Sequence, residues 1–200
     1  MSKPGSVRPG GRTARTREVV FDATLDELAS RAYDQISVET VAMRAGVHKT
    51  TIYRRWGTKD RLVAEALQEV AESRIEVPDT GDIDDDLRTL AHAVQATLSI
   101  REGVATVRAL VSGAQDSPEV EQIARGFWAA RLAQVSPIVE RAVEREQLPR
   151  GTSAAEVIEY VAAPLYYRLL VRGEPLTEVD ADLAAAVVLA AARAGVFAAV

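Results

Sequence analysis

The 200-residue chain has no cysteine, which excludes disulfides, thiolate metal sites and a cysteine nucleophile. Its two histidines, His48 and His92, lie far apart in the sequence. There is no glycine-rich phosphate loop, no G-x-S-x-G and no His-Glu metal motif. The aspartates of VPDTGDIDDD do not keep the spacing of a calcium loop, and read as linker and helix-start charge. No enzyme activity, cofactor or metal site is therefore expected. Aromatics make up only 5 % of residues against 48 % apolar overall, so the core rests on Ala, Val and Leu, as in helical proteins. Apolar runs fall short of the roughly 20 residues that a membrane span requires. The basic N-terminus lacks the apolar stretch of a signal peptide. These absences predict a soluble, cytoplasmic protein without a membrane partner.

Charge is present but unevenly placed. The formal net charge is −5, yet residues 1–62 carry 12 basic against 7 acidic side chains, and the remainder 12 against 22. A basic N-terminal third on an acidic body concentrates attraction for a polyanion at one end and repels it elsewhere.

Residues 37–59, SVETVAMRAGVHKTTIYRRWGTK, coincide with that basic third. They read as a short helix, a glycine turn and a second helix. Ser37 is a good N-cap, and Glu39 suits the positive first turn. Small Ala42 falls where two helices touch, Gly46 where the turn needs positive φ, and Val47 and Ile52 where the second helix must pin itself to a core. The remaining surface offers His48, Lys49, Thr50, Thr51, Tyr53, Arg54 and Arg55. Such a face supplies cations and hydroxyls for phosphates and donors or methyls for base edges in a major groove. Trp56 reads as a core wedge rather than a stacking platform. Ser37 and Thr40, at a helix start, place hydroxyls and backbone amides where a phosphate can sit. Arg44 admits two readings, backbone contact or solvent-facing cation.

From about residue 16 to 67 the chain resembles the DNA-binding domain of the TetR family of transcriptional regulators. The resemblance rests on VFDATLDELASRAY, SVETVA, RAGV, TIYRRW and TKDRLV. There are three departures from the family pattern: Ala32 stands for glycine, Glu27 for an apolar residue, and Arg55-Trp56 for His-Phe. The variant TIYRRW, with SGAQDSPEV, ERAVERE and APLYYRLLVRGEPL further on, is similar to one branch of the family. The resemblance places Tyr53 and Lys59 at backbone-contacting positions. It also implies a homodimer on a palindromic double-stranded DNA operator, and repression relieved by a small molecule. The ligand would enter the C-terminal domain and tilt the helix after Thr58.

The expected fold is all-α, with about nine helices: a three-helix DNA-binding domain and a larger helical regulatory and dimerisation domain. Residues 1–14 read as a disordered basic tail, 15–62 as the DNA-binding domain and 63–200 as the rest. Helices are expected over 16–32, from Lys59 to about 74, over 83–100, over 103–113, from Ser117-Pro118 to 147 with a break or kink at Pro137, from Ser153 to 171 with a kink at Pro164, and over 178–199. The last, DLAAAVVLAAARAGVFAAV, is apolar almost all round. It needs a cover: together with the 153–171 helix it would make half of a four-helix dimer interface, or it is buried within its own subunit. His92, Gln95, Arg108, Phe127, Trp128, Tyr160, Tyr166 and Tyr167 are candidates for a small-molecule pocket, with plain core as the other reading of the aromatics. Two further functions stay open, a DNA-binding regulator without a small-molecule effector and a helical carrier that no longer binds DNA.

Overall fold

The computed structural model describes residues 11–31, 33–72 and 76–198. Among them are ten α-helices and one isolated antiparallel bridge, Thr152 with Ala198. They are α1 (Gly11–Ser30), α2 (Val38–Ala45), α3 (Lys49–Trp56), α4 (Lys59–Glu72), α5 (Ile83–Ser99), α6 (Arg101–Asp116), α7 (Pro118–Val135), α8 (Pro137–Glu144), α9 (Ala154–Tyr167) and α10 (Glu178–Arg193). A 3-10 turn, Tyr33–Gln35, separates α1 from α2, and a π turn, Arg168–Arg172, prolongs α9. Counted as one helix broken at Pro137, α7 and α8 reduce the total to the nine expected.

Local chemistry sets most boundaries. Ser37, Asp82, Ser117 and Ser153 cap α2, α5, α7 and α9 through their side-chain oxygens, and Thr177 and Asp180 form a reciprocal box at α10. Pro164 lies inside α9 and has no N–H to donate; the helix runs three residues further and then widens into the π turn.

Several expected boundaries move; α6 spans Arg101–Asp116 rather than 103–113, and α8 ends at Glu144 rather than at 147. Helix α1 begins at Gly11, so residues 11–14 are its first turn rather than tail; residues 1–10, and Ala32, lie outside the described residues. Helix α10 stops at Arg193 because the chain folds back on α9. Phe197 enters the core, and its carbonyl accepts the Ser153 amide at 2.8 Å.

The buried side chains form three clusters. In the first, Phe21, Leu28, Tyr33, Ile52, Trp56 and Leu67 from the N-terminal helices pack with Ala109 and Leu110 of α6 and with Val120, Ala124 and Phe127 of α7. The second joins α5, α8, α9 and α10 around Leu87, Val139, Val161 and Val188. The third is small: Leu98, Val107 and Leu165, ringed by half-buried Val94, Trp128, Tyr166, Leu169, Leu170 and Leu176. Helix α10 divides its apolar surface. Ala181, Ala185, Val188 and Ala192 are buried against the second cluster, while Val179, Leu183 and Val187 form an exposed stripe, Val187 lining a cleft with Tyr160 of α9. Burial within one subunit thus accounts for one stripe only. Among the described residues, no helix is long and apolar enough to cross a membrane.

Candidate nucleic-acid interface

The reading unit is built by α2 and α3. The Ser37 hydroxyl accepts the Thr40 amide at 3.1 Å, and the Thr40 hydroxyl accepts the Ser37 amide at 3.2 Å and donates to the Ser37 carbonyl at 2.9 Å. Both hydroxyls are therefore engaged in the cap, and the groups left to face an anion are the first-turn amides. Gly46 takes φ 66°, left-handed, and the Val47 amide returns to the Ala42 carbonyl at 3.0 Å, which turns the chain within two residues. His48 then caps α3 in extended backbone with no side-chain cap bond, leaving its imidazole at the exposed start of the helix.

Burial splits α3 by face. Ile52 and Trp56 are fully enclosed; the Trp56 indole donates to Glu65 at 3.1 Å and lies 5.8 Å from the Phe21 ring. Trp56 is the core wedge its position suggested. Lys49, Thr50, Tyr53 and Arg54 face outward and Thr51 is half-buried. Glu39 projects among them. Its carboxyl is held below the ordinary carboxylate range by a backbone amide in the first turn of α2, then by Lys49, with Tyr53 also donating; the Lys49 ammonium stands 3.3 Å away.

Lys59 opens α4 directly after this helix. Its ammonium donates to the Tyr33 carbonyl at 3.0 Å and sits 4.2 Å from the centroid of the Tyr33 ring. The Tyr33 hydroxyl donates to Asp60 at 2.6 Å. Burial first, then Asp60, raises that phenol's pKa above its ordinary value. Sequence reasoning passed over Tyr33, although its place beside the end of α1, two residues before Gln35, was visible.

Two cations point elsewhere. Arg44 turns back onto α1, its Nε donating to Glu27 at 2.7 Å and its guanidinium 3.4 Å from Asp26. The reason is Glu27: its side chain is only 3 % exposed, and a buried carboxylate requires a paired cation. Arg44, left open between a backbone contact and a solvent-facing cation, is engaged as a counter-ion within the fold. Arg44→Ala should lower the melting temperature, and adding Glu27→Leu should recover most of the loss; a double-mutant cycle by thermal unfolding checks it, and equal losses in both backgrounds would refute the pairing. Arg55 donates to the Thr13 carbonyl at 3.1 Å and lies over Trp56, anchoring the first turns of α1.

The eight pocket candidates do not form one chamber. Phe127, Trp128 and Tyr166 meet edge to face, with centroids 4.9 and 5.6 Å apart, and Gln95 reaches the rim, bonding the Leu176 carbonyl at 3.4 Å. Burial pushes the Tyr166 phenol up to about 12. The other four lie apart from that group. His92 pairs with Asp182 at 2.9 Å between α5 and α10. Arg108 lines an open cleft of about 480 Å³ between α1 and α6. Tyr160 and Tyr167 are exposed on the outer face of α9. The last two stand seven residues apart, so they share a stripe, about 100° round the helix from Tyr166. Arg168, next to Tyr167, pairs with Glu174 and Asp180, each at 3.2 Å. Among the described residues no cluster of acids and histidines fit for a metal is present.

Comparison with known proteins follows this division. Residues 20–66 match the profile of "Bacterial regulatory proteins, tetR family", and 77–191 that of "Tetracyclin repressor-like, C-terminal domain". The HTH-type transcriptional regulator AqdR of Rhodococcus erythropolis is 35 % identical over 74 % of the chain and 70 % of its own length. The HTH-type transcriptional regulator YdeS of Bacillus subtilis is 28 % identical over 88 % of the chain and 87 % of its own length. Among solved structures, a TetR transcription regulator from Haloarcula marismortui superposes with a TM-score of 0.72 at 15 % identity, covering 90 % of this chain and 98 % of its own.

Proposed function

Because this chain belongs to the TetR family and is a DNA-binding transcriptional regulator of the helix-turn-helix type, we propose that it acts as a homodimeric repressor, released from a palindromic operator by a small molecule. The observation that carries the reading is the two-faced α3, enclosed on Ile52 and Trp56 and offering donors outward. In this reading Lys49, Thr50, Thr51 and Arg54 face base edges and phosphates, with His48 at the start of the helix. Tyr53, Lys59 and the amides beside Ser37 and Thr40 hold the backbone. The exposed α10 stripe with Tyr160 and Tyr167 joins two copies, which sets the readers about 34–36 Å apart in successive major grooves.

The third cluster supports the effector. Three enclosed side chains are ringed by six half-covered ones, with the Tyr166 phenol and Gln95 as polar groups at the edge. That composition suits a mostly apolar ligand with a few hydrogen-bonding atoms. Such a ligand must bind the DNA-incompetent state more tightly, and the operator must disfavour the ligand by the same factor.

Selection of the purified protein against random duplexes tests the reading, with an enriched palindrome as the expected result. On that sequence, Arg54→Ala should relax preference at one base pair by about 1–3 kcal/mol. Lys59→Ala should instead weaken all sequences alike and flatten the log–log salt dependence by roughly 0.9 per protomer. No enrichment at moderate salt would overturn operator recognition. An operator complex that no small molecule dissolves would leave a regulator without an effector.

A further inference from the structure

Gly113 lies in the interior of α6, where glycine weakens a helix. Close approach explains it. A methyl group on Gly113 would stand 2.8 Å from Val120 Cγ1 and 3.1 and 3.3 Å from Cδ2 and Cε2 of Tyr33. Neither neighbour has room to yield, since Val120 is fully buried and Tyr33 is 3 % exposed. The edge of the Tyr33 ring therefore rests on bare α6 backbone. The same residue seats Lys59 through its ring face and carbonyl, and ties Asp60, the next residue of α4, through its hydroxyl.

We propose that Tyr33 is a positioning residue for operator binding: it aims the Lys59 ammonium at a backbone phosphate, and Gly113 is the point from which α6 holds Tyr33 in place. The inference rests on the reading of Lys59 as a phosphate contact. A lysine carries a flexible four-carbon stem, and ordering it on binding opposes affinity. Seated against a ring and a carbonyl, that stem is ordered before DNA arrives. The seat also gives α6 a direct route to the DNA face. Val107, six residues before Gly113 on α6, is one of the three enclosed residues of the third cluster. A ligand that displaces Val107 shifts α6 beneath Tyr33, and the Lys59 ammonium moves with the ring.

The test is a salt titration of operator binding by the full-length dimer, using the selected palindrome and variants whose folding is checked by thermal melting. Lys59→Ala is expected to weaken binding about tenfold and flatten the salt dependence by roughly 0.9 per protomer. Gly113→Ala, which adds a methyl remote from the reading helix, should reproduce both effects, and Gly113→Ala with Lys59→Ala should lose no more than Lys59→Ala alone. Tyr33→Phe keeps ring and carbonyl and should retain the wild-type slope, whereas Tyr33→Leu should lose it. A purely structural role would lower the melting temperature and leave the slope unchanged. Folded Gly113→Ala or Tyr33→Leu protein with a wild-type slope, while Lys59→Ala flattens it, would overturn the positioning role alone. A wild-type slope for Lys59→Ala would remove the phosphate contact and the inference with it. If Gly113→Ala does not fold, Tyr33→Leu decides.

Discussion

A chain carrying Leu183→Glu and Val187→Glu is expected to sediment as a monomer and to bind a full palindrome about 10²–10⁴-fold more weakly, near the affinity for one half-site. The two residues are 62 and 60 % exposed and lie one turn apart on the outer stripe of α10, with Val179 a turn before them. A two-fold interface presents the same patch on both subunits, so each glutamate would meet the other subunit's glutamates across an apolar surface and could be neither solvated nor paired. The subunit itself should survive, because the inner stripe of Ala181, Ala185, Val188 and Ala192 is untouched. Equilibrium sedimentation with parallel titrations of palindrome and half-site separates the outcomes. A variant that keeps the wild-type mass would place the dimer contact elsewhere.

Trp56→Ala should cost about 3–5 kcal/mol, a large part of the roughly 5–15 kcal/mol that holds a domain folded. The indole is 1 % exposed, lies beside Phe21 and donates its one N–H to Glu65. Truncation opens a void among Phe21, Ile52 and Leu62 and removes the donor from Glu65. Trp56→Phe, which keeps much of the apolar volume and loses the donor, should cost far less. Trp128 is the other tryptophan of the chain, so its fluorescence reports how far unfolding spreads in a denaturant titration of Trp56→Ala. A midpoint unchanged from wild type would contradict the wedge role.

What was legible in the sequence was local. Ser37, Gly46, Ile52 and the Ser117-Pro118 start act on neighbours within about one turn, and their types and spacing determine what they do. Partners distant in sequence were not legible. Arg44 looked free because Glu27 is 17 positions away, and a charged residue in an apolar slot gives no hint of which cation will cover it. Tyr160, Tyr166 and Tyr167 looked alike as aromatics on one helix; only packing decides that one turns inward and two outward. The end of α10 was misplaced for a related reason. Residues 194–199 have good helical composition, yet the chain leaves the helix to bury Phe197 and pair with Ser153. The Tyr33–Gly113 approach joins residues 80 positions apart, and Gly113, read as the end of a helix over 103–113, gave no trace of it.

The N-terminal helices do not close their own interior: Ala109, Leu110, Val120, Ala124 and Phe127 of α6 and α7 complete it. A fragment ending at residue 72 would expose the surface those five cover, and should be poorly ordered even with every reading residue intact. The head therefore cannot be cut off at the end of α4, and a cut after α7 would in turn strip α5 of its core partners in α8, α9 and α10. A chimera that transplants the reading head onto another regulator must carry α6 and α7 with it, or recreate their inner face on the recipient.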